Sequence, residues 1–568
     1  SRRSVLNCLN GCVSSSQTLA SQLGLDILKK GGNAADAAVT VAAALNLMEP
    51  YSTGIGGDMF CLYYDKSKNK VFGLNGSGRA PGKLTLEYLN KLGFNEENKF
   101  EYRSPLSITV PGACAGFVDC IDKFGSGKLT LKEILSPVIS MARTGFPVSG
   151  PITSHGWNIS SEKLFDPKNV FGKELLVESK YADGSLRTPE TGEVFRNPGL
   201  ANVFESVANH GKDGFYKGWV ADEIVDVVQN MGGVLTHQDL INHESTIVEP
   251  ISIDYKEKRR KSTAKRFRLW EIPPNGQGIV ALEALNILKN FDIGEMKHNS
   301  TEYLHLLVEA VRLSFADALQ YCADPSFSDL PFKNMLNTKY GKLRANLIDL
   351  KKANKSCLPG DIRNFQSDTV YFTTADKDGN VCSFINSTYM GFGSGIVPRG
   401  CGFTLQNRGF NFSLKPDHAN VVSPGKRPYH TIIPAMVTDA KTGELLVSYG
   451  VMGGFMQPQG HVQVLLNMIE FGMDPQQALD APRFLVGSGH TGAVGSVNLE
   501  NGIQPEVMKQ LKHLGHDVNG PVEGFDRAMF GRGQVIACRN IWDKTRKSKN
   551  EVYWVGSDPR ADGVSLGY

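Results

Sequence analysis

Asp368-Thr369-Val370-Tyr371-Phe372-Thr373-Thr374-Ala375-Asp376-Lys377-Asp378-Gly379-Asn380 decides how this chain is read. Threonines and aromatics suit a pleated strand, and Asp378-Gly379-Asn380 closes it with a tight turn. A second apolar run, Val381 to Ile385, returns and delivers a polar tip, Asn386-Ser387-Thr388-Tyr389. The residues alone allow two readings. In one, this is an ordinary hairpin whose threonines fit a sheet. In the other, a hydroxyl at the head of the first strand is a nucleophile, and the returning strand brings its supporting shell.

Outward from the hairpin, Ser14 to Met48 reads as helix. Ser16 is its candidate cap, Gly31-Gly32 interrupts it, and Asn33 opens a second, Ala-rich buried helix. Gly54-Ile55-Gly56-Gly57-Asp58 is a glycine loop ahead of a strand from Met59 to Tyr64. It lacks the Lys-Ser/Thr of a phosphate loop, so close backbone packing is the expectation. Glu302 to Ala323 carries a helical apolar stripe, Glu444 to Val451 reads as strand, and Val462 to Phe471 as amphipathic helix. Residues 340–368 are basic and polar, the pattern of an exposed segment leading into Thr369. Lys256 to Arg268 holds eight Lys/Arg between two strand-like runs, Ile251 to Tyr255 and Phe267 to Ile272. It is either a solvated hairpin tip or a docking patch for an anionic partner.

With 568 residues, the chain has room for several domains or one large intertwined unit. A formal charge of +3 demands neither nucleic acid nor an anionic membrane, and no eighteen-residue apolar run predicts a span. The ten cysteines are scattered without a CxxC pair or a Cys/His cluster at metal spacing, so structural thiols and no metal or other cofactor are expected. The opening Ser1-Arg2-Arg3-Ser4 has no initiating Met, the pattern of a chain trimmed of a targeting segment. Glycosylation sequons at Asn75, Asn386 and Asn411 fall within stretches important below, where a glycan would obstruct. The expectation is a cytosolic protein.

Several segments together resemble the gamma-glutamyltranspeptidase family of N-terminal-nucleophile hydrolases. They are Gly31 to Ala38, Glu49-Pro50-Tyr51-Ser52-Thr53-Gly54-Ile55-Gly56-Gly57, Val110-Pro111-Gly112, the Thr369 hairpin, Lys426-Arg427-Pro428, Gly453-Gly454 and Ser557-Asp558-Pro559-Arg560. Their order and spacing fit nearly the whole chain. The resemblance implies an α/β fold of four αββα layers, and a precursor cut between Asp368 and Thr369. Residues 1–368 and 369–568 would then be large and small fragments of one intertwined heterodimer. It also implies Thr369 as nucleophile, Ser387 as the hydroxyl that steadies its amine, and Gly453-Gly454 as oxyanion donors.

The residues around the implied pocket depart from the family pattern. The arginine that holds a glutamyl α-carboxylate falls here on Ser77, with Arg79 two positions later. His430 and Thr431 replace paired serines, Tyr389 replaces an Asn, and Arg408 and Asn411 replace the Gln and Asp that grip an α-amino group. Arg408 is therefore either a structural salt-bridge residue or a reader of a substrate carboxylate. The segment from Leu414 to Gly425 is short where relatives carry a lid, which favours water as acceptor. The pattern is that of the divergent gamma-glutamyltransferase-like branch, and three functions are open. One is a self-processing amidohydrolase or acyltransferase acting on gamma-glutamyl or related carboxylate-bearing amides, with small-molecule substrates. Another is an acylase or oxamate-type enzyme that ignores glutathione. The last is a scaffold that has lost catalysis.

Overall fold

The hairpin forms as two antiparallel strands, Ser367–Ala375 and Val381–Met390, with Val370 opposite Asn386 and Ala375 opposite Val381. The register slips between Asp368 and Val370, which sets Thr369 apart from the regular ladder. The polar tip Asn386 to Tyr389, read from sequence as lying beyond the strand, is part of it. This computed structural model describes residues 3–180, 184–259, 264–354, 367–487, 495–541 and 552–568, with backbone alone at 367 and 368.

The hairpin sits at the centre of a seven-stranded sheet. Cys12–Ser15 and Val564–Gly567 lie on one side, and Asp58–Asp65, Lys70–Gly76 and Thr246–Val248 on the other. A second seven-stranded sheet runs from Leu6–Cys8 through Tyr553–Ser557, Arg532–Ala537, Leu445–Met452, Ala435–Asp439 and Arg266–Glu271 to Ile251–Lys256. Each sheet takes strands from both sides of Thr369.

The strand alternation shows how the layers stack. Val370 and Phe372 point into a core shared with the helices Thr18–Lys29, Ala34–Met48 and Ala113–Phe124. Tyr371 and Ala375 point the other way, into a thin core between the two sheets with Met436 and Ile536. A third core packs Val437 and Val447 beneath the helices Gly278–Leu288, Thr301–Tyr321 and Met456–Ile469. The result is the expected αββα sandwich. With both faces of the central strands covered, they read as unbroken apolar and hydroxyl residues.

Local chemistry fixes the element ends. Asn33 and Asp36 form a reciprocal capping box at the start of Ala34–Met48, whose fifteen residues are all buried. The first part of the predicted Ser14 to Met48 helix is instead the strand Cys12–Ser15, and the helix starts at Thr18. Ser16 is no cap, because its hydroxyl donates to Glu49 Oε1 at 2.5 Å. The glycine loop packs as expected: a Cβ on Gly57 would lie 2.3 Å from the Ser387 carbonyl oxygen. The basic hairpin pairs as Ile251–Lys256 with Arg266–Glu271, and its tip at 260–263 lies outside the described residues. Of the predicted exposed segment ahead of Thr369, residues 355–366 also lie outside them.

Candidate active site

Thr369, at the irregular head of its strand, is fully buried and donates its hydroxyl to Ser387 Oγ at 3.0 Å. The other two threonines of the strand are engaged elsewhere. Thr373 Oγ1 meets Ser448 Oγ at 2.7 Å across the inter-sheet layer, and Thr374 Oγ1 donates to the Ala34 carbonyl at 2.6 Å. Of the three, Thr369 is the one joined to the Ser387–Arg408 cluster.

Three donors converge on Ser387 Oγ: the Thr369 hydroxyl, the Tyr389 N–H at 2.8 Å and Arg408 Nη2 at 3.2 Å. Tyr389 itself has a φ of +83°, a left-handed conformation that costs energy for a non-glycine residue. Its ring lies 4.2 Å from the Arg408 guanidinium, and its hydroxyl is hydrogen-bonded by Asn411. Burial pushes that phenol up to about 12, so it is neutral. Arg408 Nη1 donates to Thr431 Oγ1 at 2.7 Å.

Arg408 is fully buried, and among the described residues no carboxylate pairs with it. Its Nε has no partner. Burial lowers its pKa to about 10, with the charge of Asp58 opposing, which leaves it a cation near neutral pH. Among the described residues, its close partners are hydroxyls and an aromatic face.

His430 lies next to this cluster without joining it. Its Nε2 meets Asp58 Oδ2 at 3.0 Å, while Asp58 Oδ1 accepts the Gly78 and Gly112 N–H groups at 2.9 and 3.2 Å. Burial, and then the Arg408 charge, hold the imidazole down to about 3, so it is neutral. The ring packs on Phe60. Asp58 went unnoticed in the sequence, where the glycine loop was read for its backbone. The available signal was a carboxylate heading an otherwise apolar strand. Gln277 was also missed: its amide donates to the carbonyls of Thr431 and Gly454, tying the two together.

Gly453 and Gly454 follow the strand Leu445–Met452 with φ of +125° and +56°, conformations that suit glycine. Their carbonyls accept the N–H groups of Met456 and Gln457 at the start of the next helix. Asn411, on the same short turn as Arg408, donates to the Tyr429 carbonyl at 3.0 Å. Arg79 is placed differently. Its Nη1 donates to the Glu244 carbonyl at 2.9 Å, the oxygen that Arg427 also approaches at 3.1 Å. Ser77 is buried, accepting from Asn275 at 3.1 Å.

Two side-chain groups that spacing did not reveal converge in space. Cys61, Cys120 and Cys382 are buried together, and each thiol is held well above its ordinary pKa, which keeps it neutral. His305, Glu309 and His516 also meet, but the two rings already bond each other at 2.7 Å and Arg312 donates to His516. All nine described cysteines are free.

The geometry defines an αββα enzyme with a hydroxyl nucleophile candidate at a strand head. The sequence model of gamma-glutamyltranspeptidase matches residues 20–568, and this chain belongs to that family. It is 35% identical to the glutathione hydrolase-like YwrD proenzyme of Bacillus subtilis, with 97% of each chain covered. It is 30% identical to the oxamate amidohydrolase proenzyme of Klebsiella pneumoniae, again over 97% of each. Its fold matches the crystal structure of cephalosporin acylase from Bacillus halodurans with a TM-score of 0.86 and 40% identity. That match covers 100% of this chain and 97% of the other.

Proposed function

We propose that this chain is a self-processing amidohydrolase that cuts itself between Asp368 and Thr369 and then cleaves carboxylate-bearing amides through an acyl-Thr369 intermediate. The observation that carries the reading is the Thr369–Ser387 hydrogen bond at 3.0 Å beside a buried guanidinium that has no carboxylate partner among the described residues. The relatives named hydrolase, amidohydrolase and acylase favour the same chemistry.

A threonine hydroxyl needs a base to become a nucleophile. Once Thr369 is N-terminal, its α-amine, with an ordinary pKa of about 7.7–8.0, supplies that base. The amine takes the hydroxyl proton as Oγ1 attacks the amide carbonyl. The N–H groups of Gly453 and Gly454 receive the oxyanion, and the proton passes to the departing amine. Water, activated by the same α-amine, then releases the acid and restores Thr369. Before the cut, the nitrogen is an amide and cannot act as a base.

Arg408 supports an anionic acyl group. Two of its five N–H donors are used by Ser387 and Thr431, and a substrate carboxylate would supply the missing countercharge. An α-ammonium would face a like charge there, so a zwitterionic glutamyl head fits less well. With the short Leu414 to Gly425 segment, water is favoured over an amine acceptor. The alternative of a scaffold without catalysis gives Thr369 no chemical task.

Intact mass and the N-terminus of each fragment test the reading. A chain of 62.0 kDa divided at residue 368 of 568 gives pieces of about 40 and about 22 kDa, the smaller beginning Thr-Val-Tyr-Phe. Thr369→Ala should remain one inactive chain; a variant that still cuts at this bond would sink the assignment.

A further inference from the structure

We propose that Arg408 lowers the proton affinity of the Thr369 α-amine, so that the amine is already a free base at neutral pH. The inference rests on the reading above, in which that amine is the base.

The geometry sets the guanidinium and the nucleophile one hydroxyl apart. Thr369 Oγ1 and Arg408 Nη2 both bond Ser387 Oγ, at 3.0 and 3.2 Å. Laid end to end, those bonds put the charge no more than about 6 Å from the Thr369 hydroxyl. The guanidinium is fixed there by Thr431 on one side and the Tyr389 ring on the other. Both ends of this relay are fully buried, where charges are poorly screened.

Among the described residues, the surrounding groups leave that charge largely unbalanced. From the neighbouring strand come Ser387 and Tyr389, the latter a neutral phenol. From the loop beneath come Thr431 and a neutral His430. Asp58, one strand further out, is the opposing charge, and its oxygens are occupied by two backbone amides and His430. Glu49 and Arg532 pair at 3.6 Å and offset each other. An ammonium on Thr369 would thus face an adjacent cation in a dry site, which favours the neutral amine. The α-nitrogen lies about 3 Å from its own hydroxyl, so the two charges are at most about 9 Å apart; at an effective dielectric near 20, and after the opposing effect of Asp58, the lowering is on the order of one pH unit.

The test is the pH dependence of kcat/KM for the processed enzyme, using a chromogenic carboxylate-bearing anilide. Its acid limb reports the base of the free enzyme. The wild-type limb should lie below the ordinary α-amine value of about 7.7. Arg408→Gln should raise it by about one pH unit, and Arg408→Lys, which keeps the charge, should restore it. A structural role for Arg408 would change the height of the profile and leave the limb in place. Should the variants not process, competitive labelling of the wild-type Thr369 amine against pH decides alone. A midpoint at or above about 8 overturns the proposal. Wild-type protein with no fragment beginning at Thr369 would instead overturn the underlying reading.

Discussion

Two buried arginines of this chain are solved in opposite ways. Arg560, near the C-terminus, meets five acceptors with its five N–H groups: both oxygens of Glu500, Asp558 Oδ1 and the carbonyls of Leu479 and Ala481. Burial works against its charge, yet the two carboxylates raise its pKa above the ordinary value. Arg483 joins the same knot, bonding Asp558 at 2.7 Å. Arg408, equally buried, has hydroxyls for partners and a depressed pKa. A fully paired charge holds structure together; an unpaired one is stability given up for work at a site.

The comparison can be broken at either end. Arg560→Ala would leave Glu500 and Asp558 as buried carboxylates short of a partner, and should cost about 3–5 kcal/mol in denaturant unfolding. A loss under about 1 kcal/mol would show the knot to be dispensable. Arg408→Met should go the other way. A pKa lowered from 12.5 to about 10 corresponds to a burial penalty of about 3 kcal/mol. Removing the charge should therefore stabilise the fold by about 1–3 kcal/mol while kcat/KM falls. A variant less stable than wild type would erase the contrast.

A pH-dependent effect sharpens the picture through His430. An unfolded histidine takes a proton below about 6.5, while the folded ring resists until about 3. Between those values the unfolded state binds more protons, so stability falls as the pH falls, by about 1.4 kcal/mol per pH unit for this residue. His461 and His516, also held down to about 3, add to the same acid slope. Because Arg408 is one cause of the His430 depression, Arg408→Met should flatten the decline. Unfolding free energies measured from pH 7 to pH 4 in both proteins would check it, and parallel curves would deny the coupling.

The hairpin was legible from local patterns, a Thr-rich run and a tight turn; the αββα layering and the choice of Thr369 came through the family resemblance that the glycine pairs and the C-terminal motif carry. Ser387 was marked as part of a polar tip on the returning strand, and its suggested role came from the resemblance. What stayed hidden were contacts between residues distant in the chain. Whether Arg408 found a carboxylate depended on Asp58, 350 positions earlier, which the fold turns toward His430 and two backbone amides instead. Register left open whether Arg79 reaches the pocket, and its guanidinium donates to the carbonyl of Glu244. The Ser14 to Ser16 misreading has a related cause. A short strand buried on both faces carries no alternation to mark it off from the helix that follows.

The interleaving of strands in the two sheets has one more consequence. Cys12–Ser15, from before the proposed cut, lies hydrogen-bonded between Ser367–Ala375 and Val564–Gly567, and Arg266–Glu271 pairs with Ala435–Asp439. Severing one peptide bond leaves that weave intact. The two polypeptides would have no folded state apart, so dilution should not part them. Their union would behave as a single melting event instead of an equilibrium between subunits.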